Sequence, residues 1–406
     1  MTKTFGSILI AAGTAIGAGM IALPLVTSGI GALYATLLFI FVCSVVFYSG
    51  LLTLEVNLAF KAPRNSYGTM ALETLGKPAQ YLTSLMYLLL LYALASALIS
   101  GGASLMEATN LLLFNKTLPN FLNAIIFTVF LGAIVTLSTR AVDLTTRGLF
   151  LVKAILIMII FSLFLPKVDY VNLLQQREAI YLWAAAPVIL TAFGFHIVIP
   201  SLAPYLDSDP KKLFKVLFWA SAITLIIYLL WITTLLGTLP MFGSNSFAEI
   251  AKSNGSVGEL MIAIDHYMKM PWLTGVINSF AHVAMITTFL GVALSLFDFL
   301  RDRKPGHSSH RMTTAGITFI PPLLIALFYP NGFVQLLSYA SIFAAYILII
   351  LPAIMAYRLR KMSTLSSPYR VSGGTPMILL VAFIGIGFII VECLRILGYL
   401  PVWTGV

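Results

Sequence analysis

The chain has 406 residues, of which 60% are hydrophobic and only 9% are charged, and its net charge is +10. Apolar runs of about twenty residues recur along it, which excludes a soluble globular protein and predicts a polytopic helical membrane protein. A β-barrel would instead show short segments of alternating hydrophobicity. Because loop orientation explains the positive charge in a chain of this kind, we expect the lipid bilayer as its partner and no nucleic acid.

Eleven apolar segments are long enough to cross a bilayer, and we predict a transmembrane helix for each. Their approximate limits are 6–28, 32–60, 79–112, 119–137, 148–166, 180–204, 213–239, 272–298, 313–329, 332–357 and 376–398. The longest connection, residues 240–271, contains an amphipathic stretch at 257–268 and is expected to form an external lid. The two cysteines, Cys43 and Cys393, lie inside apolar runs and indicate neither a disulfide framework nor a metal site.

The distribution of positive charge predicts the orientation of the chain. With a cytoplasmic N-terminus, 17 of the 24 lysine and arginine residues fall on the cytoplasmic side and six on the opposite side. Cytoplasmic loops carry such an excess of positive charge. We therefore predict a cytoplasmic N-terminus and, after eleven spans, a periplasmic C-terminus.

Three glycines, Gly13, Gly17 and Gly19, interrupt the first apolar segment, and Pro24 follows them. Within a helix, glycine costs about 1 kcal/mol relative to alanine and proline about 3 kcal/mol. Loosened backbone at membrane depth persists only where protein or a water-filled cavity satisfies its polar groups. This stretch alone fits a broken helix that binds a small ligand, or a close helix contact through Gly13 and Gly17.

A similar stretch occurs in the sixth segment, where Thr191-Ala192-Phe193-Gly194 parallels Thr14-Ala15-Ile16-Gly17 and Pro200 follows as Pro24 does. The two segments lie five spans apart, so they cross the membrane in opposite senses. Interrupted helices at matching positions in two oppositely oriented halves indicate an inverted-repeat transporter. The similarity of the two segments therefore favours a broken helix over a close helix contact in the first segment.

The residues Gly13 to Met20 with Leu23-Pro24, Leu54-Glu55-Val56, and Phe193-Gly194-Phe195-His196 with Ile199-Pro200-Ser201 resemble the bacterial aromatic amino acid permeases. The resemblance covers all eleven segments and is closest to the tyrosine-specific members. It implies a leucine-transporter-type fold, with a first five-helix repeat in 1–170, an inverted repeat in 171–361 and an additional helix in 362–406.

The resemblance also implies a function, which is proton-coupled uptake of an aromatic amino acid, L-tyrosine favoured, across the bacterial inner membrane. We therefore expect a transporter by alternating access, not an enzyme, with no cofactor and the proton as coupling ion. A tryptophan-selective or broad aromatic permease and a sodium-coupled transporter of the same fold remain as alternatives. A channel or a non-transporting sensor would belong to a different class.

A zwitterionic substrate needs partners for its carboxylate and for its ammonium group. Half-helix N-termini offer N–H groups to a carboxylate, and glycine lets a backbone approach closely. The predicted carboxylate contacts are the amides of Ala18, Gly19 and Met20, beside Gly17. The predicted ammonium contacts are the carbonyls near Ala15 and Ile16 and from Thr191 to Phe193, beside Gly194.

The aromatic ring of the substrate needs an apolar pocket with a few polar groups. The predicted ring contacts are Tyr92, Phe193 and Phe195. The polar candidates within apolar segments are His196, Asn278, His282, Gln335 and Tyr339. His196 could also take part in proton handling, and each of these polar side chains could instead make a hydrogen bond between helices; the sequence leaves these roles open.

Two ionisable residues are candidates for proton coupling. Lys153 lies inside the fifth segment, and burial disfavours the charged form of an amine, so it can exchange a proton near neutral pH. The resemblance implies that this lysine replaces a sodium ion between the first and eighth helices, although its stem could instead snorkel to the surface. Glu55 could join a proton relay or make a structural hydrogen bond. Hydroxyl groups in segment eight keep sodium coupling open.

Overall fold

The computed structural model describes residues 3–60, 66–175, 177–253, 255–301, 311–363 and 365–405, without the side chains of Thr139 and Pro271. Regular structure within these ranges is helical. The first apolar segment forms two helices, α1 (Lys3–Ala15) and α2 (Gly19–Thr27), which meet at an angle of 52°. The predicted break at the glycine cluster is therefore confirmed.

The rest of the first half forms one short helix and four long ones. In chain order these are α3 (Gly31–Leu58), α4 (Tyr67–Leu75), α5 (Lys77–Phe114), α6 (Asn120–Leu137) and α7 (Thr139–Phe164). The hydroxyl of Ser66 accepts the N–H of Thr69 at the start of α4, which the sequence analysis did not predict. Such a cap satisfies a backbone donor that the helix itself leaves free.

The sixth segment is also broken. After α8 (Tyr170–Leu174), α9 (Leu182–Ala192) ends at the predicted position, and a 3₁₀ turn (Phe195–Val198) leads into α10 (Ile199–Tyr205). Pro200 stands in the first turn of α10, where a proline needs no helical hydrogen bond. The second predicted interruption is therefore confirmed as well.

The second half continues with long helices and two short ones. In chain order these are α11 (Pro210–Thr238), α12 (Phe247–Lys252), α13 (Val257–Met268), α14 (Pro271–Arg301), α15 (Arg311–Phe328), α16 (Phe333–Ala345), α17 (Leu351–Leu359) and α18 (Gly374–Ile396). A π-helical turn, Tyr346–Ile350, joins α16 to α17. The amphipathic stretch predicted at 257–268 is α13.

In the described ranges, ten helical runs are long and apolar enough to cross a membrane, and the bent pair of α1 and α2 makes eleven if it counts as one. The protein is thus an all-helical polytopic membrane protein. The eleven-span count, the five-plus-five repeat and the limits at 170 and 361 stay predictions. At the centre of the bundle α2 packs against α9 and α1 against α11, which brings the two breaks together.

Candidate functional site

A cavity of about 630 Å³ lies between the two helix breaks, within the range usual for small-molecule sites. Its walls come from α1, α5, α7, α14, α16 and both breaks. Residues from the breaks that line it are Ala15, Gly17, Gly19, Thr191, Ala192 and Gly194. The cavity is therefore built where the sequence predicted backbone groups free of helical hydrogen bonds.

The cavity extends from the breaks toward one end of the bundle. It reaches Asp143 and Arg147 near the start of α7, where the Arg147 Nε donates to Asp143 Oδ1 at 2.8 Å and both side chains are exposed. Thr14, on the cavity wall, is exposed although it lies in the middle of an apolar segment. The cavity is thus open to solvent at the end of the bundle where α1 and α7 begin.

Two of the three amides predicted to bind a carboxylate already donate hydrogen bonds within the protein. The Ala18 N–H donates to Thr288 Oγ1 at 2.9 Å, and the Met20 N–H donates to the Gly17 carbonyl at 3.1 Å. Ala18 and Met20 are buried, whereas Gly19 is partly exposed and lines the cavity. Of the three residues whose amides were predicted to bind a carboxylate, Gly19 is the one that lines the cavity.

The carbonyls of the first break are held by Lys153. Its Nζ donates to the Ile16 carbonyl at 2.6 Å and lies 3.5 Å from the Gly13 carbonyl. The residue is 5% exposed, lines the cavity, and forms no ion pair with a carboxylate of the described residues. The ammonium group therefore points into the protein and contacts the break, which disagrees with the alternative of snorkelling to the surface.

Tyr228, on α11, contacts both breaks. Its hydroxyl donates to the Ala15 carbonyl at 2.7 Å and to the Ala192 carbonyl at 2.8 Å, and the residue is fully buried. The sequence analysis missed this residue. The one available signal was a tyrosine within an apolar run, because a buried phenol needs a hydrogen-bond partner.

Comparison with known proteins agrees with this architecture. A model of the tryptophan/tyrosine permease family matches residues 1–392. The chain belongs to the tryptophan/tyrosine permease family. The resemblance drawn from the sequence is therefore confirmed, as is the prediction of a transporter, not an enzyme.

Three relatives match the permease over almost its whole length. Tyrosine-specific transport system 2 of Haemophilus influenzae is 36% identical over 99% of both chains, and tyrosine-specific transport system 1 of the same organism is 34% identical over all of both. A tryptophan-specific transport protein of Pseudomonas aeruginosa is 35% identical over 98% of this chain and 95% of its own. Proteins named for either amino acid are thus similar to the permease.

The three predicted ring contacts do not line the cavity of the permease. Phe193 is buried with its ring centroid 5.0 Å from that of Tyr228, and Phe195 stacks on His196 at 4.9 Å. The Tyr92 hydroxyl donates to the Ile317 carbonyl of α15 at 2.8 Å. The apolar part of the wall includes side chains that the sequence analysis did not single out: Tyr87, Leu90, Leu91, Leu94, Leu98, Phe150, Leu337, Ala344 and Leu348.

The predicted polar contacts also lie outside the cavity wall. His196 is fully buried beside Gly50, and His282 Nε2 lies 2.9 Å from Thr109 Oγ1, which links α14 to α5. Asn278, one turn before His282, is buried as well. The Gln335 Nε2 donates to the Tyr339 hydroxyl at 2.6 Å within α16. For His282 this geometry matches the alternative of a hydrogen bond between helices.

The end of the bundle remote from the cavity mouth is covered by α13, which packs against α5 and α14. The fit is close, because a methyl carbon added to Gly258 would lie 2.5 Å from the Ser104 carbonyl oxygen. Partial burial raises the pKa of Glu259 on this helix, and the carboxylates of Glu249 and Glu107 raise it further. The stretch predicted to belong to an external lid is thus a helix packed closely on α5 and α14, and its role as a lid stays a prediction.

Glu55 is bound in an ion pair away from the cavity. The Arg360 Nε and Nη2 donate to its two oxygens at 2.7 and 2.6 Å, and the Val371 N–H donates to it at 2.8 Å. Both side chains are buried. A similar pair joins Arg395 to Glu392 within α18 at 2.6 Å. The geometry of Glu55 matches its structural alternative, since each carboxylate oxygen already accepts from Arg360.

Replacing Glu55 with alanine is expected to destabilise the permease strongly. The change leaves the buried guanidinium of Arg360 without its carboxylate, and breaking a buried pair in this way costs about 3–5 kcal/mol. Asp143→Ala is the matched control, because it breaks an exposed carboxylate–arginine pair worth about 0.2–1 kcal/mol. Thermal unfolding of the purified variants in detergent measures both effects. Equal losses of Tm in the two variants would contradict the assignment.

Proposed function

We propose that the permease imports an aromatic amino acid, with L-tyrosine the favoured substrate, across the bacterial inner membrane by alternating access. The observation that carries this proposal is the cavity between two broken helices, which combines backbone polar groups with a largely apolar wall of leucine and aromatic side chains. Such a site offers groups to both charges of an amino acid and an apolar surface to its ring. The names of the two similar Haemophilus proteins support tyrosine.

Tryptophan is the second candidate substrate. The Pseudomonas relative is named for tryptophan and is about as similar to this chain as the tyrosine-specific proteins are. A largely apolar wall receives an indole as readily as a phenol ring, since apolar contacts are not directional.

We further propose that the coupling ion is a proton carried by Lys153. A charged ammonium donates a stronger hydrogen bond than a neutral amine, so loss of its proton would weaken the bond to the Ile16 carbonyl and loosen the first break. Sodium coupling has less support, because the Lys153 ammonium group already occupies the Ile16 carbonyl. In segment eight the Thr287 and Thr288 hydroxyls donate to carbonyls of their own helix.

The positive-inside distribution of charge supports a cytoplasmic N-terminus and a periplasmic C-terminus. In this orientation the cavity mouth at Asp143 and Arg147 faces the cytoplasm, and α13 covers the periplasmic end. The conformation described would then be the inward-open state of the transport cycle.

Uptake by proteoliposomes tests the proposal. With an inwardly directed proton gradient, we expect labelled L-tyrosine to accumulate and a proton uncoupler to abolish the accumulation. Unlabelled tyrosine should compete better than tryptophan or phenylalanine. Stronger competition by tryptophan would favour the second substrate, and accumulation driven by a sodium gradient alone would contradict proton coupling.

A further inference from the structure

We propose that Tyr228 is a positioning residue that couples the two helix breaks, so that substrate bound at one break alters the other. The inference rests on the proposed function, because it requires a substrate in the cavity. It assigns a role to a segment-seven side chain that does not itself line the cavity.

The coupling follows from the donor capacity of the hydroxyl. A phenol carries one proton, yet two carbonyl oxygens lie within hydrogen-bond distance of the Tyr228 oxygen, Ala15 at 2.7 Å and Ala192 at 2.8 Å. The two carbonyls belong to different breaks and stand far apart in sequence. The proton is therefore shared between the two halves of the site, and a stronger bond to one carbonyl weakens the bond to the other.

The tyrosine ring is held in place, so its hydroxyl cannot follow one carbonyl away from the other. The ring packs edge-on against Phe193 with centroids 5.0 Å apart and against Phe39 with centroids 6.0 Å apart. All three side chains are fully buried. A displacement of either break must therefore change the geometry of its own hydrogen bond to Tyr228.

A substrate ammonium group would act on this shared proton. Ala15 and Ala192 both line the cavity. A carbonyl that accepts a charge-assisted hydrogen bond from an ammonium group becomes a poorer acceptor for the phenol. The Tyr228 proton then moves toward the other carbonyl. An ammonium group bound at one break thereby strengthens the hydrogen bond between Tyr228 and the other break.

Two single-cysteine reporters can separate the responses of the breaks. Ile10 on α1 and Ile197 in the 3₁₀ turn after the second break both line the cavity and are 52% and 42% exposed. Each is replaced by cysteine in a Cys393→Ser background, since Cys393 is exposed and Cys43 is buried. The rate of labelling by a water-soluble methanethiosulfonate is measured in the purified permease with and without L-tyrosine.

We expect L-tyrosine to change the labelling rate of both reporters when Tyr228 is intact. In Tyr228→Phe, the reporter at the break that holds the ammonium group should keep its response, whereas the response of the other reporter should fall about two- to tenfold, as for one lost hydrogen bond. Tyr67→Phe is the matched control: the Tyr67 hydroxyl donates to the His196 carbonyl at 3.1 Å, one contact on the second break. Both reporters should respond fully in that variant.

Each other outcome has a distinct meaning. Full responses of both reporters in Tyr228→Phe would overturn the coupling role. A parallel loss at both reporters would also overturn it, because a merely structural defect acts on both. No response with Tyr228 intact would instead contradict the proposed substrate site. If Tyr228→Phe does not fold, Phe39→Leu loosens the ring, and full responses of both reporters in that variant would overturn the inference.

Discussion

Replacing Gly17 with leucine is expected to abolish amino acid uptake while the permease still inserts into the membrane. A methyl carbon added to Gly17 would lie 2.5 Å from Thr288 Oγ1, closer than carbon and oxygen atoms approach without a bond. The same hydroxyl accepts the Ala18 N–H. A larger side chain must therefore separate the break from α14 and release this contact, which removes the geometry of the proposed carboxylate site.

Uptake of labelled L-tyrosine into cells, normalised to permease in the membrane fraction, measures this effect. Gly387→Leu is the matched control, because a carbon added at that helical glycine meets no atom within 4 Å. Gly19→Ala should retain part of the uptake, since the added carbon would lie 3.5 Å from Ala192, an ordinary van der Waals distance. Normal uptake by Gly17→Leu would refute the placement of the substrate at the first break.

Replacing Lys153 with alanine is expected to eliminate proton-driven accumulation while exchange of substrate across the membrane continues. The variant removes the donor to the Ile16 carbonyl and, with it, the group proposed to carry the proton. The cavity itself remains, so substrate can still bind and cross in either direction. Internal and external concentrations should then become equal, whatever the pH gradient.

Two transport measurements on proteoliposomes separate these effects: uptake driven by a pH gradient, and exchange of labelled for unlabelled tyrosine without a gradient. Lys167→Ala is the control, because Lys167 lies outside the cavity and contacts the sulfur atoms of Met268 and Met270. It should retain both activities. Accumulation by Lys153→Ala at the level of the unaltered protein would remove Lys153 from the coupling mechanism.

The parts of the site that were predictable from the sequence depend on local chemistry. Gly17, Gly19 and Pro24 disfavour a continuous helix wherever the chain folds, so the break could be located without knowing its neighbours. Lys153 was recognisable because a cation within an apolar membrane segment is energetically costly and usually has a function. The repeat of the first break in the sixth segment predicted that the two would form one site.

The remaining features depend on contacts between distant residues. The Tyr228 hydroxyl meets the Ala15 carbonyl 213 positions away, and no local pattern distinguishes this tyrosine from others in apolar segments. The leucines of α5 that line the cavity were equally unpredictable, since an apolar cavity and the lipid favour the same side chains. Phe193 illustrates the converse: its position beside the break was predictable, but its packing against Tyr228 was not.

The ion pair between Glu55 and Arg360 can form only late in the synthesis of the protein. The two residues are 305 positions apart, so at about 5–20 residues per second Glu55 is synthesised about 15–60 seconds before its partner. During that interval the second segment carries an uncompensated carboxylate. The ion pair can therefore form only after the tenth segment has been synthesised, and the second segment must enter the membrane before its carboxylate has a partner.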